Sequence, residues 1–238
     1  MRYLLLVTYN GRNYNGYQIQ PNGTTIQQTL ENAIKTITKQ DVTCVASGRT
    51  DAGVSAYCQP VHFEIEKELN EQKFLYSLNG ILPEDIKAMS IKQTDLHARF
   101  SAKRKTYLYK IYASNISQPL MSDALQINPN LNFKAMKKFL KMLVGTHDFI
   151  GFRASGSETE SSVRTIYSAK LKKQGNYLYF TITGNGFLYK MVRNIVGTML
   201  KIGEGKLDLN KLKSTLFSTF KATNTAKPEF LYLLNVEY

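Results

Sequence analysis

The sequence predicts an α+β fold of two halves, each a β-α-β-β-α-β unit with a mainly antiparallel sheet. Three observations predict it. Segments of period two and segments of period 3.6 follow one another in that order twice along the chain. A cation-rich stretch near residues 98–105 separates the two rounds. The length of 238 residues, with 43% hydrophobic and 21% charged residues, suits one large or two small globular domains.

In the first half, RYLLLVTY at 2–9 reads as a strand. A helix follows at 25–39, where Ile26, Leu30, Ala33, Ile34 and Ile37 share a face and Thr25 with Gln28 can form a capping box. Residues 42–47 are a short strand and GRTDAGVS at 48–55 is a turn. At 56–66, Val61, Phe63 and Ile65 alternate with His62, Glu64 and Glu66, the pattern of a half-buried strand. A helix at 70–80 and a strand at 86–93 complete the half.

The second half opens with a strand at 105–113. A helix at 132–144 has Asn132 as N-cap and turns Phe133, Met136, Leu140 and Leu143 inward. Strands at 163–173 and 176–184 flank Gly175-Asn176. Residues 187–202 carry the clearest helical period, through Leu188, Met191, Val192, Ile195, Val196, Met199 and Leu200. A last strand covers 231–237. This order is that of a ferredoxin-like or RRM-like sheet with helices on one face. The expected domains are 1–104 and 105–238, with a basic cleft between them.

Lysine plus arginine is 31 and aspartate plus glutamate 18, a net charge of +13. Residues 99–147 hold nine cations and one acid, Asp123, and residues 161–203 hold seven cations and no acid. Such a field attracts a polyanion, and neutralised phosphates supply affinity without sequence reading. Apolar runs are short, as at Leu4–Val7, so no transmembrane span is expected, and no segment has the form of a membrane-surface helix. The N-terminal residues lack a signal-peptide pattern, and Cys44 and Cys58 make no disulfide framework. These features point to the cytoplasm.

Several chemistries are excluded by motif. There is no GxxxxGK[ST], no GxSxG and no HExxH. Cys58 and His62 stand roughly 13 Å apart on a strand, too far for one metal ion. No cofactor and no metal are expected. GRTDAGVSA at 48–56 remains, with Asp51 between Gly48 and Gly53, where the backbone can turn sharply beside a bulky substrate. Arg49 and Arg193 are candidate partners that would keep the carboxylate ionised. In RFSAKRKTYLYKIY at 99–112, five cations accompany Tyr107, Tyr109 and Tyr112, and Tyr107, Tyr109 and Ile111 share a face. An aromatic beside cations can stack a base while its neighbours hold phosphate. In GNGFLYKMVRNIVG at 184–197, Arg193 lies off the apolar face of its helix. Each feature also has a plain reading: an Asp that bonds its own turn, a core strand, and a solvated arginine.

GRTDAGVSA, HARFSAKRKTYLYKIY, FLYKMVRNIVGTML and TAKPEFLYL stand in this order. Together they resemble the tRNA pseudouridine synthase A family, with LLVTYNGRNYNGYQ, VHFE and GTHDFIGFR in support. The resemblance runs nearly end to end. It implies isomerisation of uridine to pseudouridine at positions 38 to 40 of the tRNA anticodon arm, and a homodimer that holds one tRNA across both subunits. It implies Asp51 as the catalytic carboxylate, Tyr107 as the ring that stacks on the target base, and Arg193 as the cation that pairs with Asp51. Arg49 matches the arginine associated with base flipping, and Leu231 an apolar contact near the base. Tyr109, Lys103, Arg104, Lys105 and Lys190 join the expected substrate-contacting set. Tyr17, Ser55, Phe230 and the Tyr189-Lys190 pair depart from the family pattern.

The reaction breaks the N1–C1′ bond, turns the uracil and joins C5 to C1′, with no redox change and no water consumed. That suits a chain without cofactor motifs. The alternative is a non-catalytic RRM-like RNA-binding protein, which gives no role to GRTDAG or MVRN and lacks a strict RNP1 pattern. A ribosome-associated structural protein is the third reading, and the chain lacks the basic tails such proteins carry.

Overall fold

A computed structural model describes residues 1–156 and 160–238. The first elements are β1 (Arg2–Tyr9), α1 (Ile26–Thr38), β2 (Val45–Ala46), β3 (Ser55–Glu64), α2 (Glu71–Ile81) and β4 (Ile86–Gln93). Then come β5 (Arg104–Ala113), β6 (Leu125–Ile127), α3 (Phe133–Met142), β7 (Gly145–Asp148), β8 (Val163–Gln174) and β9 (Tyr177–Gly184). The last are α4 (Met191–Gly203), α5 (Leu209–Lys213) and β10 (Leu231–Glu237). The fold is mixed α and β, and its strand pairs are mostly antiparallel. The chain divides into two compact units: Met1–Lys103 with Tyr232–Tyr238, and Arg104–Leu231. No helix among the described residues is long and apolar enough to cross a membrane.

In unit 1, β1 lies between β3 and β4, antiparallel to both. Its burial alternates residue by residue, so Tyr3, Leu5, Val7 and Tyr9 enter the core. Val61 and Phe63 of β3 join them, and Phe63 stacks on Tyr3 and on Phe74 of α2. α1 buries Ile26, Leu30, Ala33 and Ile34, while Ile37 is only half-buried. The capping box forms by half. Thr25 Oγ1 accepts from the Gln28 amide, but the Gln28 side chain donates to Asn32 instead of reaching back.

The outer edge of β3 is shared. β2 pairs with it antiparallel at Val61 and His62, and β10 pairs with it parallel at Ser55 and Ala56. The last strand, read from the sequence as part of the second half, therefore groups with the first. Its backbone is tied further by Lys103, whose amide donates to the Glu237 carbonyl, and by Tyr238, whose hydroxyl donates to the Ala98 carbonyl. The expected alternation on β3 also fails at His62, which is 5% exposed. Residues 97–101 cover that face, and the Ala98 amide donates to His62 Nδ1.

In unit 2, β5, β9, β8 and β7 pair antiparallel in that order, and β6 pairs with β5 in parallel. β6 and β7 were not expected from the sequence; at three and four residues they are too short to show a period. α3 starts at the Asn132 cap, which accepts from the Ala135 amide, and buries Met136, Phe139 and Leu140, with Phe133 half-buried. The expected helix at 187–202 begins only at Met191, because Lys190 adopts a left-handed conformation at φ 56°. From there α4 is buried on nearly every side. A β-carbon on Gly197 would meet the Asn224 carbonyl, so the 222–226 segment lies directly against α4. Asn194 serves that second contact: its side chain donates to the Phe152 carbonyl and accepts from Thr225.

Candidate active site

Asp51 sits in a loop of unit 1 that its neighbours hold by the backbone. The Tyr17 amide donates to the Thr50 carbonyl, the Gly53 amide to the Tyr14 carbonyl, and the Val54 amide to the Asp51 carbonyl. Gly53 takes φ +82°, a left-handed turn that glycine allows without strain. Gln59, fully buried on β3, closes the base of the loop by donating to the Gly48 carbonyl and accepting from its amide. Thr50 is pinned through Tyr9, whose hydroxyl lies 2.8 Å from Thr50 Oγ1. Burial pushes the Tyr9 phenol up to about 12, so it remains a neutral partner.

The 10–17 segment packs directly on this loop. A β-carbon at Gly11 would collide with the Val54 carbonyl, and one at Gly16 would come 2.7 Å from the Thr50 carbonyl. The Gly11 amide also donates to Ser55 Oγ. Only residues without side chains let the two backbones come so close. Sequence reasoning missed Gly11, Gly16, Tyr9, Tyr14 and Gln59 as parts of the site. The spacing of two glycines inside NGRNYNGY was the available signal. Two departures from the family pattern find local partners here. Tyr17 is buried and donates its hydroxyl to the Cys44 carbonyl, and Ser55 is the acceptor for Gly11.

With its backbone so fixed, the Asp51 side chain is half-buried and Arg49 is exposed. Lys103, also of unit 1, is exposed. The remaining expected residues belong to unit 2. Tyr107, on β5, is nearly buried, and the Phe187 ring meets it edge to face at 5.2 Å. Such packing holds a ring in one orientation. Arg104 is exposed with its guanidinium 4.9 Å over the Tyr167 ring, and Lys105 is half-buried at the start of β5.

Arg193, in the first turn of α4, donates from Nε to the Ala226 carbonyl, while the Ala226 amide donates to the Arg193 carbonyl. The guanidinium is therefore aimed by the TAKPEFL segment. Lys190, in its left-handed turn, holds its ammonium 4.8 Å over the Tyr189 ring. Leu231 is 5% exposed at the start of β10.

Tyr109 lies deeper than Tyr107. It is wholly buried, its hydroxyl donates to the Lys227 carbonyl, and its ring meets Phe230 edge to face. It faces the same side of β5 as Tyr107, but two residues further in, where the core is closed. It braces the segment leading to Leu231. Glu229, which the sequence reading passed over, has one shielded carboxylate oxygen with no hydrogen-bond partner among the described residues. No group of three or more His, Cys, Asp or Glu suited to a metal ion occurs among the described residues.

A family model described as tRNA pseudouridine synthase matches residues 5–101 and 139–238. The chain is 40% identical over 240 residues to the "tRNA pseudouridine synthase A" of Thermoanaerobacter sp. strain X514, covering 99% of this chain and 98% of that one. It is 39% identical over 242 residues to the protein of the same name from Exiguobacterium sp. strain ATCC BAA-1283 / AT1b, covering 100% and 98%. A Limosilactobacillus reuteri protein of that name is 40% identical over 247 residues, covering 100% and 96%.

Proposed function

The chain belongs to the tRNA pseudouridine synthase family, and from that premise we propose that Asp51 is its catalytic carboxylate. The enzyme isomerises uridine to pseudouridine in tRNA. The observation that carries the assignment is the loop itself: backbone hydrogen bonds and two glycine contacts lock residues 48–54, yet leave the Asp51 side chain only half-buried. A fixed backbone with a reachable carboxylate is what a group acting on ribose needs.

The target base must leave the helical stack before its glycosidic bond is reachable, which costs on the order of a few kcal/mol. In our reading Tyr107 receives the extruded base, its ring already oriented by Phe187. In the same reading Arg193, steered by Ala226, is the cation that partners the catalytic carboxylate, and Arg49 takes part in flipping the base. Leu231 packs near the base, and Lys103, Arg104, Lys105 and Lys190 hold phosphates. We read unit 1, with strands in the order β4-β1-β3-β2, as one ferredoxin-like half that carries the aspartate loop. Unit 2 is the half that supplies tyrosine and arginine. The positions served are 38 to 40 of the anticodon arm, and the working form is a cytoplasmic homodimer.

Asp51→Asn tests the central assignment. The amide has nearly the size of the carboxylate and can still form such a turn. Single-turnover pseudouridine formation on a defined tRNA should fall below detection, while thermal stability and tRNA affinity change little. Product at even a tenth of the wild-type rate would assign the chemistry to another residue.

A further inference from the structure

The HARF segment before the basic stretch has no part in the site above, and it is built to present a ring. Phe100 is 77% exposed. It nevertheless stacks on His97, with centroids 4.4 Å apart and planes at 29°, and His97 lies 4.4 Å from the buried His62. Three rings thus run from the sheet of unit 1 out to solvent.

The turn that holds them is closely bonded. His97 Nδ1 accepts from the amides of both Arg99 and Phe100. The Ser101 hydroxyl accepts from the His97 amide, and the Ser101 amide donates to the His97 carbonyl. His62 Nδ1 accepts from Ala98. Five hydrogen bonds therefore fix a five-residue turn whose outermost side chain is a phenylalanine. An exposed Phe gains nothing from solvent, and a floppy one would lose its ordering entropy on binding a partner. A rigid one is pre-organised for a flat apolar surface. The Arg99 guanidinium lies 5.6 Å from the ring centroid, and Lys103 follows three residues on, exposed. A flat partner flanked by negative charge is a nucleobase on its phosphate backbone.

We propose that Phe100 is a stacking platform for an unpaired nucleobase of the bound RNA, outside the pocket that takes the target uridine. The proposal rests on the reading that this chain acts on tRNA. The base adds a fourth ring to the His62–His97–Phe100 series, and Arg99 and Lys103 hold the phosphates beside it.

The chain contains no tryptophan. Phe100→Trp therefore places a single indole at the proposed platform, and Tyr76→Trp, at a position 85% exposed on α2, places one elsewhere on the same unit. Titration with a short single-stranded oligoribonucleotide should quench the first strongly and saturably, and the second little. Equal quenching at both positions, or none at position 100, overturns the proposal. In the full-length enzyme, Phe100→Leu should raise KM for tRNA about tenfold, with a smaller change in kcat, and Phe100→Tyr should restore it. An unchanged KM overturns the platform and leaves the synthase reading intact. Quenching at position 100 by a protein that forms no pseudouridine would support the platform and remove the synthase reading. If Phe100→Leu instead halves the mass seen in sedimentation, the ring belongs to a contact with a second copy, and the proposal fails.

Discussion

His62 shows how one residue carries both a packing role and a pH dependence. Burial, with His97 and Arg2 close by, pushes its imidazole down from 6.5 to about 4, and the neighbouring Glu64 opposes this. The folded chain therefore holds it neutral, free to accept from the Ala98 amide. Between pH 6.5 and 4 the unfolded chain binds a proton that the folded chain refuses, so stability falls as pH falls through that window. His62→Asn retains an acceptor and removes the titration. Its melting temperature should fall less than that of the wild type between pH 7 and 4.5, as followed by circular dichroism. Parallel slopes would mean that His62 already titrates freely. The alternation of β3 gave this histidine a solvent face, because nothing local in VHFE announces that a turn thirty-five residues on will cover it. The burial of Tyr109 is a similar case: its face of β5 was legible, and the depth of the core along that face was not.

Elements with a full period and a cap were read closely. β4 was expected at 86–93 and runs from Ile86 to Gln93, and α1 and α3 differ by a residue or two from their expected ends. The start of α4 was misplaced because Leu188 continues the apolar period while the backbone at Lys190 does not. The contact between the 10–17 segment and the Asp51 loop was invisible, since it is made by the absence of side chains. Two glycines separate these cases. Gly16 has φ +87° and a backbone carbonyl 2.7 Å from any β-carbon, whereas Gly80 in α2 has open space around it. Gly16→Ala should cost about 1–3 kcal/mol in stability and lower kcat at least tenfold through the displaced Thr50. Gly80→Ala should gain about 0.5–1 kcal/mol and leave kcat unchanged. Thermal melts and steady-state turnover of both variants check the contrast, and a harmless Gly16→Ala would show that the loop tolerates a shift.

At the scale of the molecule, the charge was legible from composition, and the two acid-poor stretches are where a polyanion is expected to bind. Binding of tRNA should therefore weaken steeply with salt, with a log–log slope of several units, and replacing Lys103, Arg104 and Lys105 together should flatten it. A filter-binding series between 50 and 300 mM salt (about the range in which such slopes are read) decides it, and a slope near zero would remove the reading of the acid-poor stretches as an RNA-binding surface. The proposed homodimer would be removed by a fully active species sedimenting near 27 kDa. The grouping of Tyr232–Tyr238 with unit 1 was not legible, because a seven-residue strand carries no mark of which sheet it will join. That grouping also orders events during synthesis. All of Arg104–Leu231 is translated between the bulk of unit 1 and the strand that completes it. At about 5–20 residues per second, this leaves the Ser55–Ala56 edge of β3 without β10 for on the order of ten seconds. During that interval the nascent chain presents open strand backbone beside the aspartate loop, and a ribosome stalled within unit 2 would hold it there.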